Sequence, residues 1–280
     1  MCWTTPQGWM LIKSASTAQL WNPCTGVKLP LPDIGDEHGD IPRHCKCLLT
    51  HKDPTHPSCV VVLFPITTPD MWYCHVNLLE TNRGSWTHCS YDIGNYELPE
   101  EYRPPTKRVI SSIASLQGKL YFINSARDMC TINFSDSNPE FDYFDVRMVS
   151  FPKGMCSGTV WLVESDSELF LTRVCFVGFD PNDIGAIQVY KMDFGAHAWV
   201  RVDDIGDRVF LLENTNMAAS CPASPLGLKG NQVYFMRNIL VDDADLCIFD
   251  LESETQDITK VHQHDDLLIC RKPFWIVPPS

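Results

Sequence analysis

Apolar residues along this chain come in short runs, alternating with polar positions or unbroken for five or six residues, and turn-forming residues separate the runs. Gly118-Lys-Leu-Tyr-Phe-Ile123, Ser167-Glu-Leu-Phe-Leu-Thr-Arg-Val174 and Gly230-Asn-Gln-Val-Tyr-Phe-Met236 are examples. This is the strand signature. Apolar positions three and four apart occur only in short, interrupted stretches, so no long amphipathic helix is predicted. The longest apolar run, Cys59-Val-Val-Val-Leu-Phe64, suits one buried strand. It falls far short of the roughly 20 residues of a membrane-spanning helix. Twenty prolines and fifteen glycines punctuate the whole length. The pattern predicts an all-β protein.

The runs repeat. Apolar triplets centred on Leu11, Val61, Tyr121, Phe170 and Tyr234 follow one another at spacings of 50, 60, 49 and 64 residues. Another strand follows most of them and often closes on Asn or Asp, as in Leu20-Trp-Asn22, His75-Val-Asn77, Tyr190-Lys-Met-Asp193 and Cys247-Ile-Phe-Asp250. A strand bearing a bulky residue comes next: Ser85-Trp-Thr-His88, Phe141 to Phe144, Ala198-Trp-Val-Arg201. One more short strand precedes each of the later triplets, at Cys45 to Thr50, Val109 to Leu116, Thr159 to Val163 and Met217 to Cys221. Four strands about every 50 residues is the pitch of a β-propeller blade, a unit that hides its faces only by stacking on its neighbours. The expectation is a single domain over residues 1–280, a β-propeller of about five four-stranded blades. Unit one has no obvious strand before Gly8, so the N-terminal side reads as incomplete. Phe274-Trp-Ile-Val-Pro278 reads as an isolated strand that could close a ring against the first unit.

Composition narrows the partners. With 22 basic and 35 acidic residues the chain carries a net charge of −13. That opposes a grip on nucleic-acid phosphates or on an anionic leaflet. It also predicts that a basic protein partner associates faster at low salt. The acidic residues gather in loops: Asp33-Ile-Gly-Asp-Glu-His-Gly-Asp40, Asp242-Asp-Ala-Asp245 and Asp265-Asp266. Tyr102-Arg-Pro-Pro-Thr106 reads as a stiff junction between units. The start, Met1 to Trp9, has neither the basic head nor the apolar centre of a secretion signal. The cytoplasm or nucleus is therefore expected, where the thirteen cysteines stay reduced and pack as small hydrophobes.

Several groupings have chemical potential. The second unit holds His44, Cys45, Cys47, His51, His56, Cys59, Cys74, His75, His88 and Cys89. Cys45 and Cys47 share a strand face, and neighbouring strands could bring Cys59, Cys74 or Cys89 near them, as a four-ligand zinc site needs. The spacing matches no zinc signature, and packed thiols with surface histidines is the plainer account. Gly154-Met-Cys-Ser-Gly158 has the outline of a nucleophile elbow with cysteine in the serine place. An elbow needs a helix after it, and Thr159 to Val163 reads as strand. The pairs Asp203-Asp204, Asp242-Asp243 and Asp265-Asp266 are the natural place for an acid and a base, yet adjacent residues usually point apart. Asn133-Phe-Ser135 fits a glycosylation acceptor but follows no secretion signal. Trp21, Trp86, Trp161, Trp199 and Trp275 stand at strand positions and read as packing between units. Trp3 and Trp72 are less regular, and one could be an exposed anchor. No phosphate-binding glycine loop or dinucleotide fingerprint occurs. No catalytic, cofactor or metal residue is therefore assigned, and the chain is not read as an enzyme.

Gly8-Trp-Met-Leu-Ile12, Leu20-Trp-Asn-Pro-Cys-Thr-Gly26 and Leu29-Pro-Leu-Pro32 together resemble the opening of the plant F-box family that carries a KIB-type β-propeller. Trp161-Leu-Val-Glu-Ser165, Trp199-Val-Arg-Val202, Gly206-Asp-Arg-Val-Phe-Leu211, Gly227-Leu-Lys-Gly-Asn-Gln-Val-Tyr-Phe235 and Phe274-Trp-Ile-Val-Pro-Pro279 resemble its middle and end, in the same order. The resemblance implies the substrate-recognition propeller of an SCF-type ubiquitin ligase. Its partners would be a protein target and, through an F-box outside this chain, a Skp-type adaptor; the residues before Gly8 leave no room for F-box helices. Two other readings stay open: an F-box-free scaffold, and a propeller that binds or cleaves carbohydrate.

Overall fold

The computed structural model describes residues 1–14, 17–34, 41–77, 85–97, 105–134, 138–147, 149–181, 183–215, 217–237, 244–261 and 275–278. They form twenty-one strands in five sheets. By backbone proximity the chain separates into two compact units, Met1–Phe144 and Asp145–Pro278.

The first unit holds three sheets of four antiparallel strands. Sheet one is β1 (Cys2–Thr4), β2 (Met10–Lys13), β3 (Ala18–Trp21) and β4 (Lys28–Leu31), paired in chain order. The expected gap before Gly8 is therefore filled. Trp3 pairs with Leu11 in register, is buried, and donates its indole N–H to the Arg43 carbonyl at 2.9 Å. A three-residue strand with one inward side chain is too short for alternation to reveal. Sheet two is β5 (Cys45–Leu49), β6 (Val60–Pro65), β7 (Asp70–His75) and β8 (Thr87–Ser90). Sheet three is β9 (Ile113–Leu116), β10 (Lys119–Ile123), β11 (Asp128–Asn133) and β12 (Glu140–Asp145). Every residue of β5 and β6 is buried. One face of sheet two, with Cys47, Leu49, Val61, Leu63 and Cys74, shares a core with Leu11 and Leu20 of sheet one. On the other face Tyr73 meets Phe134 at 5.3 Å, and Lys46 reaches the backbone at Ile110 and Ser111. A strand covered on both sides has no polar face, which is why β6 reads as an unbroken apolar run.

The second unit holds two sheets. Sheet four is β13 (Met155–Ser165), β14 (Glu168–Val177), β15 (Ile184–Asp193) and β16 (Ala198–Val202). Sheet five departs from the expected four strands. It comprises β17 (Arg208–Leu212), β18 (Ala218–Pro222), β19 (Gln232–Arg237), β20 (Ala244–Asp250) and β21 (Thr255–Val261), in the spatial order β18-β17-β19-β20-β21. The segment expected beside the Tyr234 strand was Met217 to Cys221. Instead β17 runs parallel to β19 there, and β18 lies outside it. The residues account for the exchange. Arg208-Val-Phe-Leu-Leu212 carries four buried large side chains that need an interior place, whereas Ala218-Ala-Ser-Cys is small enough for an edge packed close to β13. Ser220 and Ser165 share a 2.7 Å hydroxyl hydrogen bond at that contact.

The terminal segment also differs from expectation. Phe274 lies outside the described residues, and Trp275–Pro278 is not a strand. It packs on sheet five: Trp275 donates to the Leu212 carbonyl at 3.0 Å and meets Tyr234 edge-on, while Val277 joins the Val209, Leu211 and Ala219 core.

Candidate functional site

Four cysteines in and beside sheet two, Cys45, Cys47, Cys59 and Cys74, pack as core. Cys47, Cys59 and Cys74 are fully buried in the core shared with sheet one, and Cys45 is nearly so. Burial pushes the thiols of Cys45 and Cys74 up to about 12 and those of Cys59 and Cys89 to about 11. Metal binding and nucleophilic attack both need the thiolate, which this environment disfavours. The Cys45 thiol donates to the Pro42 carbonyl at 3.0 Å.

The histidines fall into separate local arrangements. His51 stacks on His56 with ring centroids 3.8 Å apart and shares a hydrogen bond with Thr50. Its pKa is lowered by burial and by the neighbouring His56 ring. The ring also occupies the space where Gly118, at φ +82°, would carry a side chain. His56 accepts the Ser58 N–H on Nδ1 at 3.2 Å. His88 stacks on Trp72 at 4.4 Å, with Nε2 3.6 Å from Asp70. His75 lies edge-on to Tyr73, and burial lowers its pKa. His44 is exposed ahead of β5. Among the described residues no three His, Cys, Asp or Glu side chains are placed to hold a metal ion.

Gly154 to Gly158 enters β13 rather than a helix. A bulge between Met155 and Ser157 leaves Cys156 unpaired and exposed. Asp203 and Asp204 diverge: Arg201 donates to Asp203 at 2.8 Å, and Asp204 accepts the Gly206 N–H at 2.7 Å. Asp242-Asp243, Asp265-Asp266, most of the Asp33 to Asp40 loop, most of Tyr102 to Thr106 and Ser135 of the acceptor pattern lie outside the described residues.

The tryptophans pack within the sheets, and several are tied to backbone carbonyls. Trp86 donates to the Pro32 carbonyl at 3.0 Å and Trp161 to the Glu213 carbonyl at 2.7 Å. Trp199 is buried and Trp21 half-buried. Trp3 and Trp72 are both buried, so neither is the exposed anchor that their irregular context suggested. A short solvent-facing appearance in sequence carries no information about the sheet that folds over it.

Two buried cations had no sequence signal beyond a charge inside an apolar run. Lys46 is 2% exposed; its ammonium donates to the Ile110 carbonyl at 2.6 Å and to that of Ser111. Arg173 is 4% exposed, donates to the Val149 and Ser150 carbonyls at 2.9 and 3.2 Å, and lies 4.6 Å from the Phe151 ring. Each side chain clamps an irregular segment against a strand, satisfying carbonyls that would otherwise lack donors. The opposite anomaly is an apolar group in water: Phe179 is 83% exposed on the β14–β15 connection.

Sheets that share hydrophobic cores with their neighbours within each unit describe a propeller-type scaffold. The KIB1-4 beta-propeller family model matches residues 1–257, and the chain belongs to that family. The five sheets are the blades of a β-propeller, a fold commonly used for protein interaction. No curated protein matches the chain. Among solved structures, a chain of a complex of S. cerevisiae Dbp5 with Nup159, Gle1, IP6 and ADP is 9% identical with a TM-score of 0.29, over 93% of this chain and 72% of that one. A chain of the mitotic checkpoint complex is 7% identical with a TM-score of 0.32, over 94% and 89%. Likeness at that level adds nothing to the assignment. No helix among the described residues is long and apolar enough to cross a membrane.

Proposed function

We propose that this propeller is a non-catalytic recognition module for a protein target, and that it serves as the substrate-recognition part of an F-box-type ubiquitin-ligase subunit. The observation that carries the reading is the family match over residues 1–257. Its physical support is the set of loops held on closely packed sheets: a rigid rim can present side chains to another polypeptide at little entropic cost. The expected partners are a protein target in the cytoplasm or nucleus and a Skp-type adaptor, reached through an F-box outside this chain. No cofactor is required by the reading.

The test uses the full gene product, including whatever its reading frame encodes upstream of Met1, mixed with a purified Skp-type adaptor. Size-exclusion chromatography with light scattering should show a 1:1 complex. Absence of that complex would remove the ligase assignment and leave an F-box-free recognition module.

A further inference from the structure

Sheet four is built differently from the others. The strands of sheets one to three are 3 to 6 residues long, whereas β13, β14 and β15 have 10 or 11. Strand β16 pairs with β15 only from Val189 to Asp193, so the remaining length continues as a three-stranded ribbon. Two bulges interrupt that ribbon at one level. Cys156 is the extra residue on β13 and Gly185 the extra residue on β15, on either side of Phe176. Paired bulges bend a ribbon and re-aim its end. Met155 and Val177 lie over Gly185, in the space where any larger residue would place its Cβ.

Beyond the bulges the connection 178–183 carries Phe179, the most exposed large apolar side chain among the described residues, and Val177 at its base is 48% exposed. The turn is held from within. The Val177 N–H donates to the Asp183 carbonyl at 2.8 Å, the Asp183 N–H to the Asp180 carbonyl at 3.1 Å, and the Ser157 hydroxyl to the Gly178 carbonyl. An aromatic ring held out on a braced turn gains nothing for the fold it belongs to, and a braced aromatic is the usual anchor of a protein interface. The same connection carries exposed Asp180 and Asp183, and exposed Lys153 precedes Met155 at this end of the ribbon. Together with the net charge of −13, those carboxylates disfavour an anionic membrane and a second copy of this chain as the occupant.

We propose that the bent end of sheet four, Val177 and Phe179 together with Asp180 and Asp183, is the target-docking element, and that its partner is a protein offering an apolar pocket rimmed by Lys or Arg. This rests on the recognition-module reading above and names the surface that performs it. The ring enters the pocket, and the carboxylates steer approach and fix orientation.

The test places a photo-crosslinking benzoylphenylalanine at position 179 of the full chain and, as a control, at Ile258 on β21, which is 55% exposed. Each protein is irradiated in extract from the source cells. The protein crosslinked from position 179 is identified, purified and titrated against wild type, Phe179→Ser and the double variant Asp180→Asn with Asp183→Asn. The expected result is an adduct from 179 and not from 258. Phe179→Ser should raise Kd at least tenfold with an unchanged melting temperature, and the double variant should lose most of the salt dependence of association. A partner that crosslinks from 258 alone, or binds Phe179→Ser as tightly as wild type, overturns the docking site while leaving the recognition module standing. No protein adduct from either position removes both. Phe179-dependent co-sedimentation with phosphatidylserine vesicles would overturn the protein-pocket proposal in favour of a membrane.

Discussion

Lys46 allows the energetics of this fold to be measured at one atom. Its ammonium is buried between Phe64, its register partner on β6, and the carbonyls of Ile110 and Ser111. Desolvation lowers its pKa from 10.5 to about 8. The unfolded chain therefore binds one more proton than the folded chain between those two values, and stability must rise with pH across that window. At about 1.4 kcal/mol per unit, the protonated lysine costs the fold roughly 3 kcal/mol at pH 7. Linkage gives a recovery of about 1.4 kcal/mol by pH 9 and about 2.5 kcal/mol by pH 10. Replacing the side chain by methionine keeps the stem and removes the charge. The Ile110 and Ser111 carbonyls then lose their donor, at a cost of about 1–3 kcal/mol. The two effects nearly cancel at pH 7, so Lys46→Met should be close to wild type there. By pH 10 wild type should have gained about 2.5 kcal/mol on the variant, because the neutral amine still donates while the charge penalty is gone. Urea unfolding followed by the fluorescence of the eight tryptophans, at pH 7, 8, 9 and 10, gives both curves, and taking their difference cancels every titration the two proteins share. A difference that stays constant with pH would refute the reasoning.

Two further outcomes follow from packing. Gly158→Ala puts a Cβ 2.5 Å from the Val174 carbonyl and 3.3 Å from the Cys175 Cα, both backbone, so it should cost about 1–3 kcal/mol; an unchanged melting curve would show that β13 and β14 are not that close. A brief alkylation pulse at neutral pH, read peptide by peptide by mass spectrometry, should label exposed Cys2, Cys24 and Cys156 and spare Cys45, Cys47, Cys59 and Cys74 until urea unfolds the chain. Labelling of Cys47 at the rate of Cys24 would mean that the core between sheets one and two is open.

Much of the architecture was legible in the residues. The five apolar triplets are β2, β6, β10, β14 and β19, each inside its own sheet. Local alternation and turn residues decide strand existence, and a repeat makes the same decision several times, so errors in one unit do not spread. The sequence also implied that Trp21, Trp86, Trp161, Trp199 and Trp275 are structural, since large side chains recurring at strand positions have to be buried by something. The KIB-type propeller was legible because its segments keep their order along the chain.

Neighbour relations were decided only in three dimensions. Nothing local distinguishes Arg208–Leu212 from Ala218–Pro222 as the strand beside β19; competition for interior space does, because four large side chains gain more there than alanines and a serine. Whether Trp3 is an anchor or core depends on a sheet forty residues away. The bend of sheet four arises from two single-residue bulges on different strands, coming to one level only when β13, β14 and β15 pair. Strand propensity is a short-range property of the chain. Burial, register and the exposure of one phenylalanine are properties of what lies across the gap, and only tertiary packing supplies that.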